Sequence, residues 1–139
     1  MLARLMPVPD PETLFRFIGW DDYEESDGTP RVRSSLFNLS FEVSFNLGSI
    51  WPLEHHRNIT PIGWGLCSLT HEEWRRAGKD GLDLFVESDP LDHDPFLKTP
   101  NPSHASANRK CVGKEGRRAA KVASQNVHFP PKPASQRDG

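Results

Sequence analysis

The residues best placed to do chemistry are the cations that surround one glycine turn. Gly113-Lys114-Glu115-Gly116-Arg117-Arg118 reads as a turn opening a helix, where backbone amides lack internal partners and the helix dipole adds partial positive charge. Arg109, Lys110 and Lys121 extend the set on either side. Cations crowded at a helix start oppose the dipole, and a bound phosphate relieves that conflict. The spacing is not that of a P-loop, which needs Gly-x-x-x-x-Gly-Lys followed by Ser or Thr. The plainer use of the same residues is a solvated basic face. The expected anion-binding set is Arg109, Lys110, Gly113, Lys114, Arg117, Arg118 and Lys121.

Other reactive side chains are scattered. His55-His56, Asp92-His93-Asp94 and His104 supply nitrogen and oxygen donors of the kind that hold divalent metals. No His-x-x-x-His or His-Glu-x-x-His spacing gathers them on one helix, and they read more simply as loop histidines and a solvated acidic turn. No metal or other cofactor is assigned. Ser34-Ser35 and Cys67 lie in no nucleophile elbow and beside no sequence-local base. Cys67 reads as a small buried apolar residue. Trp20, Trp51, Trp64 and Trp74 are spread along the chain and are expected to pack the core rather than stack on bases. No catalytic residue emerges from these patterns.

Charge divides the chain. Residues 1–107 hold 9 Lys and Arg against 17 Asp and Glu, a net of −8, whereas residues 108–139 hold 8 against 2, a net of +6. The formal total of −2 conceals an acidic body and a basic end, the asymmetry of a protein whose one end meets a polyanion. The same cations could instead dock on the body's acidic stretches, 21–27 or 89–94. Apolar residues make up only 35 % of the sequence beside 13 Pro and 10 Gly, which implies a loop-rich domain with one modest core. No stretch is long and apolar enough for a signal peptide or a membrane span. Two isolated cysteines then point to a reducing cytoplasm.

Periodicity supplies the elements that must carry these groups. Asp10-Pro11-Glu12-Thr13 resembles a helix start of a turn or two, followed by a short strand through Phe15, Phe17 and Ile18. Residues 21–31 offer no apolar period and contain the Asp27-Gly28 turn signal. Leu39, Phe41, Val43 and Phe45 alternate with polar residues and predict a half-buried strand. Residues 47–60 read as a long loop, and Ile62–Leu69 as a second strand. Thr70-His71-Glu72-Glu73 matches a capping box, predicting a helix over His71–Ala77 closed by Gly78. Leu82, Leu84 and Val86 predict a third strand. Prolines 90, 95, 100 and 102 argue against regular structure over 89–102. A weak strand is expected within Ser103–Val112, and a helix over Lys114–Ser124 with Ala119, Val122 and Ala123 on its inner side. The expected whole is a small single α+β domain, residues 1–128. It has three to four short strands, one short central helix, a basic C-terminal helix and loop-rich insertions at 21–31, 47–60 and 89–102. A disordered Pro-rich tail follows over 129–139.

Three stretches, Asp27-Gly28-Thr29-Pro30 running into Ser34-Ser35-Leu36-Phe37, Asp89-Pro90, and Asn101-Pro102-Ser103-His104-Ala105 leading to Gly113-Lys114, together resemble a small family of uncharacterised bacterial proteins. The resemblance spans residues 12–128. It implies one compact domain that includes the basic helix, and it implies no activity. Phe15-Arg16-Phe17 followed by serines on a later strand also looks like the opening of ADP-ribosyltransferase domains. That likeness implies a dinucleotide site with Arg16 on the phosphates and Glu87 orienting the ribose. The sequence thus favours a binding module whose basic helix contacts nucleic acid or another phosphate-bearing polyanion. A nicotinamide-dinucleotide transferase, or a catalytically silent partner of another protein, is the alternative.

Overall fold

In the computed structural model the chain is an α+β fold, and the structure describes residues 6–78, 83–108, 110–111 and 113–130. Of the disordered tail expected over 129–139, residues 131–139 lie outside the described residues, as does Arg109. Phe129 is not loose but packs against the core with its ring edge-on to Tyr23. Six strands form an antiparallel sheet: β1 (Met6–Pro7), β2 (Thr13–Ile18), β5 (Ser44–Leu47), β6 (Gly65–Thr70), β7 (Val86–Ser88) and β10 (His104–Ala107). Their order across the sheet is β1-β7-β10-β5-β2-β6. Two separate hairpins, β3 (Tyr23–Ser26) with β4 (Thr29–Val32) and β8 (Leu91–Asp94) with β9 (Thr99–Asn101), stand off this sheet. Three α-helices complete the described fold: α1 (Leu53–Ile59), α2 (His71–Ala77) and α3 (Lys114–Gln125).

Alternation along the strands divides the sheet into two faces. Leu14, Arg16 and Ile18 share one face with Leu69, Cys67, Leu47 and Phe45, as the pairings Leu14↔Leu69, Arg16↔Cys67 and Leu14↔Leu47 require. Helices α2 and α3 cover this face. Phe37, Phe45 and Trp74 form its aromatic centre, with ring centroids 5.2 to 6.2 Å apart, and all three are buried. Helix α3 lies against α2, β4 and the short 3-10 segment Ser34–Phe37. It does so through Gly116, Ala119, Ala120 and Ala123, all buried. The small residues let the helix approach closely: a Cβ at Gly116 would sit 2.5 Å from the Cys111 carbonyl oxygen. Gly116, which weakens the helix by propensity, is therefore a packing requirement.

Helix α2 follows its sequence signal in full. The Glu73 amide donates to Thr70 Oγ1 (3.1 Å), and the Thr70 amide donates to Glu73 Oε1 (2.8 Å). Its first residue, His71, is buried. His71 Nδ1 lies 2.8 Å from the Val8 carbonyl, and the Val86 amide donates to Nε2 at 2.8 Å. These contacts need the neutral Nδ1–H tautomer, and burial accordingly holds the His71 pKa below its ordinary value.

Several local expectations are corrected. The described residues contain ten short strands, not three or four, and α1 joins α2 as a second short helix before the basic one. The alternating stretch 39–46 is a strand only over Ser44–Leu47. Asn38 Oδ1 accepts from the Ser40 amide and turns the chain, which leaves Phe41 68 % exposed. Asp10–Glu12 is a turn, not a helix start. The stretch 21–31 is a hairpin whose Asp27 and Gly28 both have positive φ, 53° and 78°, as a type I′ turn demands.

Residues 47–60 hold α1. Of the strand expected through Leu82, Leu84 and Val86, Leu84 precedes the ladder, β7 begins at Val86, and Leu82 lies outside the described residues. The proline-rich stretch 89–102 is not irregular. Pro95 occupies the turn between β8 and β9, where Asp94 Oδ1 accepts from the Phe96 and Leu97 amides. Pro100 lies in a two-stranded hairpin, where the missing N–H costs no second ladder. Of the tryptophans, Trp74 is fully buried, whereas Trp64 is 38 % exposed.

Candidate functional site

Beyond Phe15, strand β2 remains paired with β6 through Ile18 but no longer pairs with β5. The two central strands part there, and Arg16 fills the opening. Its Nε donates to the Leu36 carbonyl at 2.9 Å and its Nη1 to the Ser44 carbonyl at 2.7 Å. The guanidinium also lies 5.9 Å from the Phe37 ring centroid. Burial pulls the Arg16 pKa down, with nearby Asp22 opposing it. No carboxylate oxygen of the described residues is within 4.0 Å of it, so two carbonyls and a ring carry most of its compensation. Beside it, Cys67 is fully buried and its thiol is pushed up to about 12, chiefly by burial. Such a thiol is no nucleophile at neutral pH.

A cavity of about 660 Å³ opens where the strands part, within the range of small-molecule sites. Arg16, Ser44 and Phe45 line its inner end. His104, Ser106 and Asp89 line one side, and Phe17, Trp64 and Phe96 form an aromatic wall. The ring centroids of Trp64 and Phe96 are 5.1 Å apart, and those of Phe17 and Phe96 5.8 Å. His104 Nδ1 is 2.9 Å from the Asp89 carbonyl, and Ser106 Oγ donates to Asp89 Oδ2 at 3.1 Å.

The floor is held by a buried polar network. Asn101 Nδ2 donates to both Asn46 Oδ1 and Asp94 Oδ2 at 2.9 Å, and Ser103 donates through its amide and hydroxyl to Asn101 Oδ1. Burial would raise the Asp94 pKa, but bonds from Asn101 and the Leu97 and Phe96 amides outweigh it and hold the carboxylate ionised.

The sequence-predicted residues fall on separate surfaces. Arg16 and His104 share the cavity; Glu87 does not line it. Glu87 pairs across from Ser106 on β7 and so belongs to the sheet face opposite that of Arg16. Two strands lie between them, roughly 14 Å of sheet at about 4.8 Å per strand. The structure does not bring this pair together.

The cations of α3 form a second surface. Lys114, Arg117, Arg118 and Lys121 are exposed on the side opposite the buried Gly116, Ala119, Ala120 and Ala123, and Lys110 is exposed just before them. Gly113 caps the helix with φ 82° and no side-chain hydrogen bond. No residue of α3 lines the cavity. Among the histidines, His55 and His56 sit on α1, and His93 is exposed on β8. Among the described residues no group of three or more His, Cys, Asp or Glu is gathered for a metal ion.

Sequence reasoning singled out Arg16 but missed the aromatic wall, for which no local signal exists. Trp64 and Phe96 lie 32 positions apart and meet only because the β8–β9 hairpin folds over β2. Among known proteins, no family model, curated sequence or solved structure matches this chain. Among the described residues no helix is long and apolar enough to cross a membrane.

Proposed function

We propose that this protein is a small α+β binding module that contacts nucleic acid through the outward face of α3. One observation carries the reading: the helix is fixed to the body by small apolar residues, so Lys114, Arg117 and Lys121 are not used up in holding it there. Lys114, Arg117 and Lys121 are exposed and make no ion pair with a carboxylate of the described residues. The alternative in which these three charges dock the helix on the acidic body gains no support from this arrangement. Cations spaced at three and four residues lie along one helix side, where they can neutralise successive phosphates without reading bases. Lys110 and Arg118 flank them on the same segment.

The test is fluorescence anisotropy of a labelled duplex and a labelled single strand across a salt series. Affinity should fall steeply as salt rises. Changing Lys114, Arg117 and Lys121 together to Ala should flatten the log–log slope by about 0.9 for each duplex phosphate that is no longer neutralised. Absence of binding at low ionic strength, or a triple variant with an unchanged slope, would defeat the proposal.

A further inference from the structure

The cavity at the β2–β5 parting has a composition that selects a ligand. We infer that it binds an uncharged, hydroxyl-bearing ring compound: a sugar ring, free or as part of a nucleoside, without a phosphate.

Polar supply on the cavity wall is mixed rather than one-sided. A guanidinium has five N–H groups, and Arg16 uses two, on Leu36 and Ser44. The other three have no acceptor among the described residues. Asn46, also on the wall, accepts from Asn101 through Oδ1, and its side-chain N–H groups donate to no described residue. Acceptors stand beside these donors. Asp22 Oδ1 takes the Ser35 hydroxyl, leaving Oδ2, and the Glu42 carboxylate pairs with no described residue. A hydroxyl both donates and accepts, so a ring carrying several of them satisfies both sets at once. A pure anion would satisfy only Arg16, and a pure cation only the acids.

Net charge decides against an anion. Among the described residues Arg16 is the single Lys or Arg on the wall, against Asp22, Glu42, Asp89 and Asp94. A phosphate drawn to Arg16 would enter a field dominated by carboxylates, in a recess where screening is weak.

The aromatic wall supplies the second half of the fit. Trp64 and Phe96 are 38 % and 47 % exposed and in contact with each other, while Phe17 continues the surface inward. Aromatic faces carry partial negative charge, which suits the C–H edges of a sugar ring, and a base packs on them by offset stacking. Exposed aromatics beside a polar recess are what a ring with one apolar and several polar edges requires.

The probes are methyl glucoside, adenosine and adenosine monophosphate, titrated into the full chain. Saturation-transfer NMR reports ligand contact, and the part of the tryptophan fluorescence change that is lost in Trp64→Phe reports Trp64. Methyl glucoside or adenosine should bind; response to the glucoside alone identifies a free-sugar site, and response to adenosine a nucleoside site. Adding the phosphate should weaken adenosine binding severalfold. Trp64→Ala, an exposed position, should weaken binding roughly fivefold to tenfold, and Glu42→Gln should weaken it with no change in thermal stability. No response to either neutral ring, tighter binding of the phosphorylated compound, or binding untouched by Trp64→Ala each overturns the inference. Because α3 lies outside the cavity, none of these outcomes depends on whether nucleic acid binds the helix.

Discussion

The Arg16 guanidinium donates to the Ser44 carbonyl at 2.7 Å, at the point where β2 and β5 cease to pair. A side chain thus stands in for a missing rung of the sheet, satisfying a carbonyl that a neighbouring strand would otherwise take. The same substitution holds the two strands apart and leaves room for the cavity.

Removing that guanidinium should be costly. Arg16→Met leaves the Leu36 and Ser44 carbonyls without their donor, and roughly 2–3 kcal/mol of stability should be lost. Arg16→Lys can restore one bond and should recover part of it. Urea unfolding of the three proteins checks the order. Equal stability of Arg16→Met and the parent would show that the carbonyls find other partners.

Acid should weaken the fold through two neutral histidines. Burial holds His56 at about 4, against 6.5 for a free imidazole, and His71 is also lowered by burial. Between those pH values the unfolded chain binds protons that the folded chain does not. Stability is therefore complete above pH 6.5 and declines as pH falls toward 4, His56 alone contributing on the order of 3 kcal/mol. His56→Phe, which keeps the ring against Phe15 at a centroid distance of 4.3 Å in the parent, should flatten the melting temperature over this range. A decline of unchanged steepness would assign it elsewhere.

Glu73 adds a second acid-sensitive contact. Burial would raise its pKa, but hydrogen bonds from the Thr70 amide and from His128 outweigh this and leave it lowered. Its contribution is present above the ordinary carboxylate range and is lost as pH falls through its depressed value. His128 Nε2 lies 2.9 and 3.0 Å from the two carboxylate oxygens, and the His128 backbone exchanges hydrogen bonds with Ser68. Thr70→Ala should cost about 1 kcal/mol by loss of the cap. Glu73→Gln should speed amide hydrogen exchange at His128, and unaltered exchange there would separate the clamp from the cap.

Gly116→Ala tests the seating of α3. In an isolated helix it would gain up to about 1 kcal/mol, yet here the new methyl meets the Cys111 carbonyl at 2.5 Å. A net loss of roughly 1–3 kcal/mol is expected from the forced shift. Calorimetric melting reads the sign directly: a rise in melting temperature would show that the helix can move outward freely.

What the sequence determined by itself lies where the causes are local. The capping box at Thr70–Glu73 and the glycine at 78 define α2 to the residue, because cap and helix are within hydrogen-bond reach along the chain. Asp27-Gly28 dictates a tight turn through its backbone conformations, and Ala119 and Ala123 mark the inner side of α3, whereas Val122 is only half-buried and Gly116 and Ala120 complete that side in its place. The basic outer face follows from the same periodicity. The hairpin over 91–101 was hidden because proline counts record lost donors and not which side of a strand needs them. The end of β2–β5 pairing at Phe15 was hidden for a related reason. Alternation fixes which side chains share a face, but which strands pair, and for how long, depends on burial against distant segments. Arg16, Glu42, Trp64, Phe96 and His104 come from five separate segments, and only the closure of the sheet with its hairpin makes one wall of them.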